Sequence, residues 1–263
     1  MFVWVPRYAY VIASGYNSNI VGQIDIKFLK GTTNAPIDEV AVTISNTTGQ
    51  GNWNVHPTFQ NGIMNEFKSG EWNKDITGIW VAKFEAGYNI SSPISTGIKY
   101  SYSNLGSNYY GAVIANTTNM MYPVFKPLTA SYYNISVGDA YTLSKNLIKA
   151  GNPYNLSGVD SHLIKNSEWG AICYLAHSEY GRDGSNLAVN NLRIAAKSCY
   201  ITGGTGNASD LVGVASEDKW NGEIGKNAST TGNVYGIYDM SGGSSEYVSG
   251  YISNGTAGTL DVR

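Results

Sequence analysis

Asp239 and Glu246 are the acids whose spacing first suggests chemistry. They flank Ser241-Gly242-Gly243-Ser244-Ser245, a glycine turn inside the stretch Gly232–Tyr251. Two β-prone arms, Val234–Tyr238 and Tyr247–Tyr251, enter and leave this turn. Carboxylates on both sides of a stiff corner can hold a cation when their oxygens converge. A surface hairpin with two solvated acids has the same spacing, and both readings stand at this level.

Other reactive residue types give less. His56 has no neighbour at ligand spacing. His177 falls on a predicted helix without a second ligand four residues away, so a zinc motif is absent. The three histidines lie in unrelated settings. Tyr200–Gly206, YITGGTG, is similar to a glycine-rich phosphate loop but lacks the Gly-Lys-Ser/Thr ending, and no helix pattern follows; it reads as a turn. There is no G-x-S-x-G, no defensible acid–His–Ser order and no Cys–His pair in a recognisable context. Cys173 and Cys199 are too few for a disulfide framework. One bridge or two buried thiols are open, and the apolar helix face under Cys173 favours thiols. Glu85 reads as a salt-bridge partner of Lys83 or Arg7.

The elements that must position these groups follow from periodicity. Phe2–Ile12 is β-branched and aromatic and predicts one strand. Gln23–Leu29 alternates strictly, with Ile24, Ile26 and Phe28 on one face, and predicts a half-buried strand antiparallel to the first. Lys30–Asn54 is a polar loop and Val55–Phe59 a short extended piece. Ile76–Ala86 carries apolar residues on both faces, which predicts a central strand. Tyr88–Pro127 is a long loop rich in Asn, Ser, Tyr and Gly, the kind that is often functional. Its Tyr100, Tyr102, Tyr109, Tyr110 and Tyr122 suit a binding surface or the packing of the loop onto the body.

Ser136–Lys149 predicts a helix: Ser136 and Asp139 form a capping-box-like pair. Val137, Ala140, Tyr141, Ser144, Leu147 and Ile148 share one face, and Gly151 is a stop signal. A second helix runs from about Asn166 to Glu179, with Trp169, Ile172, Cys173 and Ala176 as its apolar stripe and Gly181 ending it.

Composition bounds the function classes. The chain has 263 residues, 42% apolar, and only 14% charged. Its polar surface must come from Asn, Ser, Thr, Gly and 20 tyrosines, the residues of adhesive surfaces. A formal net charge of -2 gives no electrostatic case for nucleic acid or an anionic membrane. No segment is long and apolar enough to span a bilayer. The N-terminus reads as a strand from its first residue, without the basic region and cleavage site of a secretory signal. The expectation is that more protein precedes Met1. The Asn-x-Ser/Thr triplets at Asn46, Asn89 and Asn134 are expected by chance in such a composition.

The order of these elements resembles a known family. A Trp-Val-Pro strand precedes a strand ending Lys-Phe-Glu. A capped helix carries Asp-Ala-Tyr, and a second helix begins Asn-Ser-Glu-Trp. Gly236-Ile237-Tyr238-Asp239-Met240-Ser241-Gly242-Gly243-Ser244-Ser245-Glu246-Tyr247 is similar to the family's Gly-Leu-Tyr-Asp-Met-x-Gly-Asn-x-x-Glu-Trp. Glu168-Trp169-Gly170-Ala171-Ile172 is similar to its Glu-Trp-Glu-Tyr-Ala. The family is that of the formylglycine-generating enzyme (sulfatase-modifying factor), a variant of the C-type lectin fold. The resemblance spans about Phe2 to Tyr251, with the two long loops as insertions.

The resemblance implies an α+β, C-type lectin-like fold: mixed short strands, two helices and long irregular loops, in a single domain over residues 1–263. It implies calcium at the turn, held by Asp239, Gly242, Ser244 and Glu246, although Gly243 stands where the family has Asn and Ser245 where it has an aromatic. The family's enzymes act through cysteines in a C-terminal segment that would begin near Arg263, and neither Cys173 nor Cys199 matches a catalytic position. The expectation is therefore a non-enzyme, or an enzyme fragment continuing beyond Arg263. The same fold displays ligand surfaces in phage receptor-binding proteins and in the variable proteins of diversity-generating retroelements. The implied partners are a host-surface protein or glycan, with homo-oligomers allowed, at a virion tail or bacterial cell surface. A purely structural tail or envelope module is a further alternative.

Overall fold

The computed structural model describes residues 1–20, 22–45, 47–61, 72, 74–87, 122–128, 131–132, 137–182, 202–203, 216–240 and 247–249. Five strands and two helices run through these residues: β1 (Phe2–Pro6), β2 (Tyr8–Ser14), β3 (Gln23–Phe28), β4 (Asn54–Val55), β5 (Gly78–Ala82), α1 (Val137–Asn146) and α2 (Asn166–Ala176). The architecture is mixed α+β with small antiparallel sheets. β1 pairs with β5, and β2 lies between β3 and β4. Among the described residues no helix is long and apolar enough to cross a membrane.

The first predicted strand is two strands in two sheets, and the change occurs at Pro6-Arg7. The Pro6 nitrogen points away from β5, where a missing N–H costs no ladder bond. The Arg7 N–H donates to the Thr77 carbonyl at 2.8 Å, beside β5. The Arg7 carbonyl accepts from the Leu29 N–H at 3.0 Å, beside β3. One residue thus hands the chain from one sheet to the other. Its side chain is only 2% exposed and reaches three loops. Nη1 donates to the Phe59 carbonyl at 2.6 Å and Nε to the Thr33 carbonyl at 3.3 Å. Nη2 donates to Asp75 Oδ2 at 3.0 Å and to Asn34 Oδ1 at 3.4 Å.

Strand β3 alternates as predicted. Ile26 is buried, while Ile24 and Phe28 pack half-buried against the same core. That core joins Val5, Tyr8, Ile26 and Ile79 from the sheets and Phe59 from the turn after β4 to Ala171 and Ile172 of α2 and to Ile237. The Tyr8 hydroxyl donates to the Ala171 carbonyl at 2.6 Å, tying α2 to β2. His56 is structural. It is buried among Tyr8, Tyr10, Phe59 and Tyr174, and its Nδ1 accepts from the Thr58 N–H. Burial lowers its pKa to about 3, so the ring stays neutral.

Two further expectations are corrected. β5 is not the central strand expected: among the described residues it has one partner, and Trp80 is exposed to solvent. The buried face of α1 is also rotated from the predicted one. Leu143 and Asn146 are buried while Tyr141 is exposed, because the helix presents the Leu143–Leu147 side inward and ends at Asn146, before Gly151. A four-residue spacing fits more than one face, and the polar Asn146 hid the buried one. Helix α2 is shorter than predicted and buries Glu168, Ala171, Ile172 and Ala176.

Removing Arg7 leaves the buried Phe59 carbonyl without its donor and releases the more exposed Thr33, Asn34 and Asp75. Arg7→Ala is expected to lower unfolding free energy by about 2–3 kcal/mol in urea titrations. Arg7→Lys keeps the charge but not the planar fork and should recover only a minor part. A lysine variant as stable as the parent would show that charge alone suffices.

Candidate functional site

The predicted acid Asp239 lies where four separated segments meet. The Tyr238 N–H donates to the Lys83 carbonyl at 2.9 Å, anchoring the turn to the end of β5. Asp239 follows in a left-handed backbone conformation, φ 63°, which Asp and Asn tolerate better than most side chains. Its side chain points inward and the residue is 1% exposed. Oδ2 accepts from the Thr202 hydroxyl and from the Gly203 N–H, each at 2.8 Å. Thr202 Oγ1 itself accepts from the Glu85 N–H at 3.0 Å, and the Thr202 carbonyl accepts from the Leu128 N–H at 2.7 Å. Gly203 is required here: a Cβ would lie 2.7 Å from the Phe84 ring.

Aromatic packing closes the arrangement. The Tyr238 ring lies 5.1 Å from Phe84 and 6.3 Å from Trp220, and its hydroxyl donates to the Trp220 carbonyl at 2.6 Å. The Lys83 ammonium donates to the Val234 carbonyl and sits 5.1 Å from the Trp220 ring. Burial raises the Asp239 pKa to about 6, against the opposing pull of the Gly203 and Thr202 hydrogen bonds. Burial also raises the Tyr238 pKa and lowers that of Lys83. At neutral pH Asp239 is an ionised acceptor whose Oδ2 is already held by two donors. Chemically this oxygen is a tie between segments.

The turn read in Tyr200–Gly206 supplies both donors. It lacks the phosphate-loop ending, yet Thr202 and Gly203 do bind an anion, the chain's own carboxylate. Sequence reasoning missed this partnership, because the two groups are separated by 37 residues at Thr202 and 36 at Gly203. The other implied calcium ligands, Gly242, Ser244 and Glu246, lie outside the described residues, as do Tyr100, Tyr102, Tyr109 and Tyr110. Tyr122 is described and half-buried. Its hydroxyl donates to the Ala150 carbonyl at 3.2 Å, so it packs its segment against the turn after α1. Glu85 accepts from the Ser131 hydroxyl, while Arg7 pairs with Asp75. Cys173 is half-buried in α2, and Cys199 lies outside the described residues. Among the described residues no group of three His, Cys, Asp or Glu converges as a metal site.

A second polar cluster sits at the start of α2. Glu168 is buried, and its Oε2 accepts from the Lys165 N–H at 2.9 Å, closing the first helical turn. Both its oxygens lie 3.1 Å from His162 Nε2. His162 Nδ1 is 2.9 Å from Asp160 Oδ2, near enough to pair when charged but poorly aligned for a hydrogen bond. Lys145 of α1 reaches Asp160 at 3.0 Å, and the Lys165 ammonium lies 3.5 Å from the Trp72 ring centre. Burial works to raise the Asp160 pKa, but Lys145, His162 and Lys165 outweigh it and lower it overall. The cluster joins α1 to α2. Its available sequence signal was the acid at the third position of the second helix, a known capping position.

Asp239 has a pKa raised above its ordinary 3.8, so its stabilising contribution is present below that value and is lost as pH rises through about 6. Asp239→Asn keeps an acceptor and removes the ionisation. Its stability relative to the parent should rise between pH 4 and pH 7 by up to ~3 kcal/mol, read from paired thermal melts. A pH-independent difference would exclude burial of the charge as the cause. Asp239→Ala leaves two donors unpaired and should cost ~2–4 kcal/mol.

Comparison with protein-family models, curated proteins and solved structures gives no match for this chain.

Proposed function

We propose that the protein is a non-enzymatic ligand-binding domain of a phage-tail or bacterial-surface protein, built on a C-type-lectin-like scaffold of the formylglycine-generating-enzyme type. The observation that carries this reading is the inward Asp239. The acid of the Tyr-Asp-Met signature ties the end of the chain's Gly236–Met240 segment to the Thr202–Gly203 turn and to β5, a bracing role. Composition supports the same reading: few charges, and a polar complement of Tyr, Asn, Ser and Gly suited to low-entropy contact surfaces. The partner in this proposal is a host-surface protein or glycan. Tyr100, Tyr102, Tyr109 and Tyr110 supply contacts, while the described Tyr122 serves packing. Calcium at the Asp239–Glu246 turn belongs to the proposal through the resemblance, with Asp239 Oδ2 also held by Thr202 and Gly203.

The test is direct binding of the labelled whole protein to bacterial cells and to arrayed cell-surface glycans. Saturable binding that weakens in the Tyr100→Ala/Tyr102→Ala double variant is expected. Failure to bind any such surface would count against the reading. For calcium, the melting temperature should fall on adding a chelator. A ligand at a hundredfold excess over its Kd stabilises the folded form by ~2.7 kcal/mol. Identical melts with and without chelator would remove calcium from the proposal.

A further inference from the structure

The sheet formed by β1 and β5 has two faces of different character. Val3, Val5, Ile79 and Val81 point into the core. The alternate positions place Phe2, Trp4 and Pro6 opposite Ala82, Trp80 and Gly78 on the outer face. That outer face carries no charged side chain. Trp80 is 66% exposed and Trp4 39% exposed, and the two rings pack against each other at a tilt, with centroids 5.1 Å apart and 52° between their planes.

The pair is held in place. Trp4 lies down over Gly78, where a Cβ would be 2.4 Å from its Cζ2. With its indole resting on β5 and packed beside Trp80, Trp4 keeps 39% of its surface in water. Phe2 is fixed against the buried Phe125, with ring centroids 5.2 Å apart. Ordered aromatic rings of this kind give contact area at little entropic cost.

We propose that the Trp4–Trp80 platform binds a neutral saccharide, with pyranose rings stacked on the indoles. The electron-rich face of an indole attracts the weakly positive C–H face of a sugar, and the sugar's hydroxyls stay at the rim in water. One indole is about the footprint of one pyranose ring, so two adjacent indoles fit consecutive sugars. The exposed area of the two rings is on the order of 250 Å². That is well below the roughly 500 Å² per partner at which specific protein interfaces begin, which argues against a second copy as occupant. None of the six outer-face residues carries a positive side chain, which argues against a phosphate-bearing ligand stacked on the two rings. The proposal rests on the reading of the chain as a binding domain, but assigns the contact to β1 and β5 rather than to the tyrosines of Tyr88–Pro127.

The experiment titrates the whole protein with cellohexaose, maltohexaose, laminarihexaose, chitohexaose and mannohexaose, following tryptophan fluorescence and binding heat. Binding of at least one is expected. Trp80→Ala and Trp4→Ala should each weaken it about tenfold or more, with an unchanged melting temperature for the exposed Trp80 and a lowered one for Trp4, whose ring also covers Gly78. Trp80→Tyr should restore most of it, and the exposed Tyr235→Ala should leave it unchanged. No binding of any of the five, or undiminished binding by the Trp4→Ala/Trp80→Ala double variant, would overturn the platform. So would sedimentation showing a dimer that Trp80→Ala dissociates, which would make the face a self-interface. Cell-surface binding that survives the double variant would overturn the platform while leaving the binding-domain reading intact.

Discussion

A guanidinium cannot lose its charge in a protein, so burying one obliges the surrounding chain to supply acceptors. Arg7 imposes that condition at the point where β1 ends and β2 begins. Its acceptors come from the loop after β3, from the turn after β4 and from the approach to β5. None of these segments has enough regular structure to fix its own path. Their carbonyls and side chains converge because the fork of one arginine has fixed directions. The two small sheets are thereby held in one relation, although the chain between them makes no continuous ladder.

The opposite charge does similar work at the other end of the chain. Asp239 gathers Thr202 and Gly203, and through Thr202 it also reaches Glu85 and Leu128. Glu168 does so for Lys165 and His162 at the start of α2. Each charge sits where irregular backbone has donors or acceptors with no ladder to use them. A fold with short strands and long connections leaves many such groups, and buried ones are expensive if unpaired. A buried ion with several partners satisfies several at once.

This explains what the sequence shows and what it hides. β3 was legible because alternation is local, as were the existence of α2 and the structural role of His56. The break at Pro6-Arg7 was half legible: proline leaves one side of its strand without a ladder donor, but nothing local says that the next residue joins another sheet. The face of α1 was misjudged because Asn146, a polar residue, lies on the buried side. The exposure of Trp80 could not be read at all, since a strand apolar on both faces has the same sequence whether its second face is covered or bare. The Thr202–Gly203 partnership with Asp239 was hidden by distance along the chain. The glycine turn gave only the weak sign that backbone N–H groups were being presented to something.

The inward use of charge also bears on recognition. Arg7, Lys83, Lys165, Glu168 and Asp239 are all buried in a chain with few charged residues to begin with. The described exterior keeps the other charges and also carries exposed aromatic rings, among them Trp4, Trp80 and Tyr235. Contacts made by such rings depend on shape and on the quadrupole of the ring, not on net charge. They are therefore insensitive to the salt screening that weakens charged surfaces. In the proposed reading, buried charges hold irregular loops together inside while the Trp4–Trp80 rings meet the ligand outside, and neutral sugars are a class of ligand that stacking can distinguish without a charged group on either side.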